Sequence, residues 1–163
     1  MYLVYELLIL NGLIVCFFVF AHLRARRRRN DTEAFRARAS DRDACIACSV
    51  LYSSERRFLN WWKVFPWEAH GILCLRDNTL LLIGRSTMGM QVEKVVGEVG
   101  CDVHWVGRKF RTGATSWFSV KTGRDVHYFS AEPGTLIFGS AKKTREIFDE
   151  VSAFVCRSNA ANQ

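Results

Sequence analysis

The sequence predicts an α+β, mainly β, domain of about seven antiparallel strands capped by a C-terminal amphipathic helix, with an N-terminal transmembrane α-helix before it. The first observation behind this class is an apolar run at the start of the chain. The second is a series of short strand-like segments, about ten residues apart, with Gly, Pro, Asn or Asp between them. The third is a change to helical periodicity near the C-terminus.

The apolar run covers residues 1–23, in which Glu6 carries the only formal side-chain charge. A helix of this length rises about 1.5 Å per residue and spans the roughly 30 Å hydrocarbon core of a bilayer. Tyr2 and Tyr5 lie near its outer end, where aromatic rings favour the membrane interface. Basic residues follow the run instead of preceding it, which disfavours a cleaved signal peptide. The pattern therefore predicts a retained transmembrane helix.

An arginine-rich juxtamembrane segment follows at residues 24–38 and indicates how this helix is oriented. Residues 1–23 contain no Lys or Arg, whereas the segment holds seven arginines. Short basic flanks stay on the cytoplasmic side of a membrane. We therefore expect the N-terminus outside and the C-terminal domain in the cytoplasm, or on the matrix side of a mitochondrial membrane. The same segment supplies the expected contacts to anionic lipid, which are Arg24, Arg26, Arg27, Arg28 and Arg29.

Nucleic-acid binding is a competing explanation of the basic run. Residues 60–163 contain 13 Lys and Arg against 10 Asp and Glu, so the predicted domain is only mildly basic. A nucleic-acid binder usually carries a larger basic face. Membrane lipids are therefore the expected partners, and nucleic acid is not.

Asn11 and Gly12 interrupt the apolar run near its middle. A polar side chain beside a small residue suits packing between membrane helices. The alternative is a polar residue that the membrane simply tolerates. Asn11 and Gly12 are thus candidate helix–helix contacts to a partner within the membrane.

Residues 39–60 are predicted to connect the basic segment to the domain. Their short apolar run could continue the first helix or dock on the domain as a strand. Cys45 and Cys48 have CxxC spacing, but a structural zinc site needs four ligands and no second pair occurs. They are weak metal candidates, and no metal or cofactor is expected.

Tryptophans crowd the start of the predicted domain at Trp61, Trp62 and Trp67, around Pro66. Such a cluster is most often buried in a core. Aromatic side chains also anchor protein interfaces and favour membrane surfaces. The three tryptophans are therefore candidates for a partner surface as well as for the core.

Residues 61–156 contain strand-like segments followed by a helix. The segments read GILCL, TLLLIGR, MQVEKVVGEVG, DVHWVGRKF, ATSWFSVKT, VHYFS and TLIFGS. The helix that follows has Ser140 as its expected N-cap. The apolar face of this helix is formed by Ile147, Phe148, Val151, Phe154 and Val155. Residues 157–163 are expected to form a flexible polar tail.

This order of strands and helix resembles the pleckstrin-homology-like (PH-like) superfamily, which includes GRAM domains and bacterial PH-like domains. The resemblance implies two orthogonal sheets that form a barrel capped by the final helix. Phosphoinositide binders of this superfamily place several basic residues around the first hairpin, whereas CLRDNTL contains one. The resemblance therefore implies no phosphoinositide site. A second basic cluster is either a contact to anionic lipid or a solvated strand edge, and consists of Arg108, Lys109 and Arg111.

The sequence contains no phosphate-binding glycine loop, HExxH or GxSxG motif. We therefore expect a protein that is not an enzyme. Two function classes remain open. The first is an accessory or assembly subunit of a membrane protein complex, braced on the cytoplasmic or matrix face by the PH-like domain. The second is a membrane-anchored module that binds anionic lipid or a peptide or protein ligand.

Overall fold

The computed structural model describes residues 2–39, 44–60, 67–76, 78–98, 100–108, 115–132 and 140–160. Three helices and seven strands occur in these ranges. The helices are α1 (Tyr2–Arg38), α2 (Glu55–Phe58) and α3 (Ala141–Ala160). The strands are β1 (Ala44–Ser54), β2 (Ala69–Arg76), β3 (Thr79–Ser86), β4 (Gln91–Gly97), β5 (Asp102–Arg108), β6 (Ser116–Thr122) and β7 (Asp125–Ala131).

The seven strands form one antiparallel sheet in the order β4-β3-β2-β1-β7-β6-β5. The sheet curls into a half-barrel, which brings β4 near β6 although the two strands do not pair. Helix α3 covers the concave face. The prediction of a mainly β domain with a C-terminal helix is confirmed, and the curled sheet is compatible with a PH-like domain.

Strand β1 lies at the centre of the sheet, between β2 and β7. It comes from residues 39–60, which the sequence predicts as a connector. Six predicted segments match β2 to β7, whereas most of the seventh, TLIFGS, lies outside the described residues. The domain therefore includes part of the connector and does not begin at residue 61.

The concave face holds the main core. Val50 and Tyr52 of β1 pack there with Phe118 and Phe129, and Val151 of α3 closes the cluster. The predicted N-cap of α3 is present, because Lys143 N donates to Ser140 Oγ at 3.2 Å. The half-buried Phe148 ring packs edge-on against Trp105 and Phe118.

The end of α3 differs from the predicted flexible tail. The helix continues through Ala160, Ser158 is buried, and Asn159 Oδ1 accepts a hydrogen bond from Gly100 N at 2.8 Å. This contact ties the helix end to the loop between β4 and β5. Residues 161–163 lie outside the described part of the chain.

The convex face carries two smaller clusters. One contains Leu51, Phe58 and Trp117 and lies beside α2. The other contains Phe35 of α1 with Ile72 and Cys74 of β2. The second cluster is the place where helix α1 meets the sheet.

Helix α1 is continuous over 37 residues, so it includes the segment predicted as juxtamembrane. Within the residues that the structure describes, no helix combines the length and apolar character needed to cross a membrane. That finding does not support the transmembrane helix predicted for residues 1–23.

Candidate functional site

The C-terminal part of α1, residues 28–38 and here called the stem, lies across the convex face of the sheet. Arg28, Asp31, Thr32 and Phe35 occupy positions i, i+3, i+4 and i+7, so they share one side of the helix. Thr32 and Phe35 are buried. The stem packs against β1, β2 and β3.

The first polar contact of the stem is made by Arg28. Its guanidinium donates to the Glu132 carboxylate, which follows β7, and the two form a partly buried ion pair. Ser49 of β1 donates its hydroxyl to the other carboxylate oxygen of Glu132. This arrangement joins α1, β1 and the end of β7 at one carboxylate.

The second polar contact is made by Asp31. Its Oδ1 accepts a hydrogen bond from Arg85 Nη1 of β3 at 3.1 Å. Its Oδ2 lies 3.5 Å from His70 Nε2 of β2, which is long for a hydrogen bond. Asp31 therefore connects the stem to two neighbouring strands.

Between these groups lies His70, a titratable residue buried where the stem meets the sheet. It is 8% exposed, and its ring lies 6.3 Å from the Phe35 ring. Burial lowers the pKa of His70, opposed by the negative charges of Glu132 and Asp31. The imidazole is consequently neutral near neutral pH.

The N-terminal part of α1 has the opposite character. Large apolar side chains between residues 5 and 23, here called the apolar half, are exposed on all sides of the helix. Leu7, Leu8, Ile9 and Leu10 are consecutive and each more than half exposed. Because successive helical residues are about 100° apart, these four alone reach every side of the helix.

The candidate helix–helix contacts lie within this apolar half. Asn11 Nδ2 donates to the backbone oxygen of Leu7 at 2.9 Å, one turn earlier. A Cβ at Gly12 would meet nothing within 4 Å. The surface at Asn11 and Gly12 is open, and whether a second helix packs there stays a prediction.

The basic residues predicted to contact lipid lie in different environments. Arg26 and Arg27 are exposed between the apolar half and the stem. Arg28, in contrast, has Glu132 as a protein partner. Arg108 is exposed at the end of β5. The side chains of Arg24 and Arg29 lie outside the described part of the structure, as do Lys109 and Arg111.

The structure describes only some of the aromatic and cysteine residues that were candidates for a partner surface or a metal site. Trp67 is half-buried and packs against the cluster of Leu51, Phe58 and Trp117. Trp61 and Trp62 lie outside the described residues. Cys45 and Cys48 belong to β1, but their side chains are not among those described. Among the residues that are described, no group of three or more His, Cys, Asp or Glu could hold a metal ion.

A second polar cluster lies on the concave face, around the buried Tyr52. Its hydroxyl is 3.1 Å from His127 Nδ1 and accepts a hydrogen bond from Lys94 Nζ at 3.1 Å. Burial raises the pKa of Tyr52, and burial together with the Lys94 charge lowers the pKa of His127. Both groups are therefore neutral at pH 7, and the cluster is a satisfied hydrogen-bond chain.

The polar contacts of the stem were not predicted from the sequence. His70, Arg85 and Glu132 are single residues without a motif, so nothing local connects them to α1. The sequence does contain a signal for the docked side of the stem. Its members are spaced as on one side of a helix and include one aromatic and one small polar residue; they are Arg28, Asp31, Thr32 and Phe35. That pattern indicates a packed helix surface within the basic segment.

In comparisons with known proteins, this chain matches no family model, no curated protein and no solved structure.

Proposed function

We propose that this chain is a non-catalytic, membrane-anchored accessory or assembly subunit of a membrane protein complex. In this proposal the apolar half of α1 inserts into the bilayer, and a PH-like domain braces the cytoplasmic or matrix face. The observation that supports it best is the division of one continuous helix into an exposed apolar half and a stem docked on the sheet.

The exposed side chains of the apolar half favour insertion over binding along the membrane surface. A surface-lying helix needs one polar side and one apolar side. Here the apolar residues surround the helix, as they do in helices that face lipid. An exposed apolar surface of this extent on a soluble protein is unusual and indicates a lipid or protein contact.

The distribution of arginines supports the proposed orientation. Arg26 and Arg27 are exposed just beyond the apolar half, where they can reach anionic headgroups. Residues before the apolar half carry no Lys or Arg. The positive-inside rule then puts the domain on the cytoplasmic or matrix side.

The docked stem supports a structural subunit over a domain on a flexible tether. A flexible linker would leave the domain free to rotate about its anchor. Ion pairs from Arg28 and Asp31, together with the buried Phe35, instead fix the domain to the helix. A fixed geometry is useful to a subunit that braces a complex.

The alternative function is a membrane-anchored module that binds anionic lipid or a peptide or protein ligand. The exposed Arg108 at the end of β5 favours it, because this cation is free of the stem contacts. Under this alternative, the domain would bind liposomes that contain anionic lipid, and binding would weaken after Arg108→Ala.

Topology tests the main proposal. The full chain is expressed with Cys16, Cys45, Cys48 and Cys156 changed to serine and one reporter cysteine placed either before residue 5 or after residue 160. An impermeant thiol reagent added to intact cells or vesicles should label the first reporter and leave the second unlabelled. Labelling of the second after membrane permeabilisation is the control.

Two results would contradict the proposal. Equal labelling of both reporters from outside, or recovery of the chain in the soluble fraction, would exclude a membrane anchor. The reverse labelling pattern would keep the anchor but overturn the orientation.

A further inference from the structure

His70 lies at the centre of the interface between the stem and the sheet. The charged groups that face it are Asp31 and Arg28 from α1, Arg85 from β3 and Glu132 after β7. From β1, its register partner is the uncharged Leu51. The two carboxylates raise the pKa of His70 and Arg28 lowers it, but burial of the ring has the largest effect and lowers the pKa.

One nitrogen of the His70 imidazole also lacks a hydrogen-bond partner among the described residues. This nitrogen is Nε2, which is buried. The nearest acceptor, Asp31 Oδ2, lies 3.5 Å away, and the other oxygen of that carboxylate is bonded to Arg85. A proton added to the ring would therefore enter a buried site without a fully formed partner.

We propose that His70 is an acid-operated latch, which holds the α1 stem on the sheet while its imidazole is neutral and releases the stem when the imidazole is protonated. Protonation places a positive charge in this buried site. Lifting the stem exposes the ring to water, and it removes both Arg28 and Asp31 from the surroundings of the ring. Release thus relieves the desolvation of the protonated ring.

The direction of the effect follows from linkage. The pKa of His70 lies below its usual value of 6.5 while the stem is docked, chiefly because the ring is buried. With the stem released, the ring is solvated and its pKa returns toward that value. The released state therefore binds more protons, and acid favours it. Docking is fully retained above pH 6.5 and is lost progressively below it.

This latch would regulate the proposed anchor. If α1 is the membrane helix, release converts a fixed domain into a mobile one on the same anchor. That consequence rests on the proposed function, whereas the latch itself concerns only the stem and the sheet. The test below is done in detergent, so its outcome is independent of whether α1 crosses a bilayer.

The chain contains a natural reporter of docking. Cys74 is fully buried beneath Phe35, in the cluster that the stem covers. Cys101 is buried in the concave core, on the other face of the sheet, and Cys156 is exposed on α3. Reaction of Cys74 reports release of the stem, Cys101 reports opening of the whole domain, and Cys156 calibrates the reagent.

The experiment measures labelling rates by peptide mass spectrometry on the full chain in mild detergent, with dithiodipyridine as the reagent because it reacts in acid. Between pH 7.5 and pH 5, we expect the rate at Cys74 relative to Cys156 to rise about tenfold. The rate at Cys101 should not rise. His70→Gln and His70→Asn, which cannot titrate, should remove the pH dependence.

His127→Gln is the matched control, because His127 is also buried with a lowered pKa but lies on the concave face. It should retain the acid-dependent labelling of Cys74. The latch is overturned if Cys74 stays protected at pH 5, if Cys74 and Cys101 become reactive together, or if both His70 variants keep the wild-type response.

Discussion

Two buried histidines lie on opposite faces of the same sheet and differ in how they are satisfied. His127 shares a hydrogen bond with the Tyr52 hydroxyl, whereas His70 Nε2 has no such partner among the described residues. Burial lowers the pKa of both rings. The satisfied histidine is expected to contribute to the stability of the domain, and the unsatisfied one to control a contact.

Tyr52→Phe tests the concave cluster. The substitution keeps the ring, which packs against Phe129, but removes the hydroxyl from between Lys94 and His127. It leaves a buried imidazole nitrogen without a partner, so the free energy of unfolding should fall by about 1–3 kcal/mol. Denaturant unfolding of the full chain in detergent measures this loss.

Tyr128→Phe is the control for that experiment. The Tyr128 ring stacks on the Phe58 ring with the ring centroids 3.9 Å apart, and a phenylalanine ring would stack in the same way. Its effect should stay within about 0.5 kcal/mol. Equal losses in the two variants would contradict the assigned role of the Tyr52 hydroxyl.

Helix α1 shows how one element can serve two environments. Its apolar half exposes large side chains on every side, and its stem buries Phe35 against Ile72 and Cys74. The change occurs within one uninterrupted helix, so no flexible joint separates the two parts. A movement of the stem should therefore be transmitted to the apolar half.

Phe35→Ala tests the docking of the stem. Truncation of a buried Phe typically costs about 3–5 kcal/mol, and here it should also expose Cys74 to thiol reagents at pH 7.5. The matched control is Phe17→Ala in the apolar half, where the ring is exposed. If Phe35→Ala leaves Cys74 protected, the stem does not depend on this contact.

The strands β2 and β3 approach each other closely at a pair of glycines. Gly71 and Gly84 are register partners, and a Cβ on either would lie 2.2 Å from a backbone oxygen of the other strand. Backbone atoms in the middle of a sheet cannot move aside without breaking the pairing. Glycine is therefore required at both positions.

Gly71→Ala should destabilise the domain by about 3 kcal/mol or more, because the added methyl overlaps the paired strand. Gly123→Ala is the comparison, since Gly123 has a positive φ of 59° but open space around its Cβ position. That variant should cost only about 1–2 kcal/mol. Thermal unfolding followed by circular dichroism compares the two, and similar losses would contradict the close approach.

The predictability of the elements follows from their patterning. Strands β2 to β7 were found from the sequence because turn residues separate them; Asn78, with its positive φ, is one example. For β1 the sequence leaves helix and strand open, because Val50, Leu51 and Tyr52 are all buried, two on the concave face and one on the convex face. A strand covered on both sides has no alternation to detect.

The candidate site was predictable only in its local parts. The apolar run and the exposed Arg26 and Arg27 follow from the order of residues along the chain. The stem contacts join residues as distant as Arg28 and Glu132. Such pairs depend on the sheet order, which puts β1 between β2 and β7 and which no local pattern indicates.

The coupling between the helix and the domain determines how the protein as a whole would behave on a membrane. If the stem is docked and α1 is unbroken, the domain keeps one distance and one orientation relative to the bilayer. A domain on a flexible linker would sample many distances and orientations relative to the bilayer. This difference is measurable without knowledge of the partner complex.

A glycine insertion tests this coupling in nanodiscs that contain a headgroup-labelled acceptor lipid. The donor dye is attached to Cys156, with Cys16, Cys45 and Cys48 changed to serine. Four glycines inserted after Arg26 should break the helix between its two halves and broaden the distribution of donor–acceptor distances. Four alanines at the same place are the matched control: they extend a helix by about 6 Å and rotate it by about 40°. The alanine variant should therefore keep the narrow wild-type distribution, shifted by no more than that length.

A wild-type distribution as broad as that of the glycine variant would show that α1 is only a tether, and absence of energy transfer in the wild type would refute the membrane anchor itself.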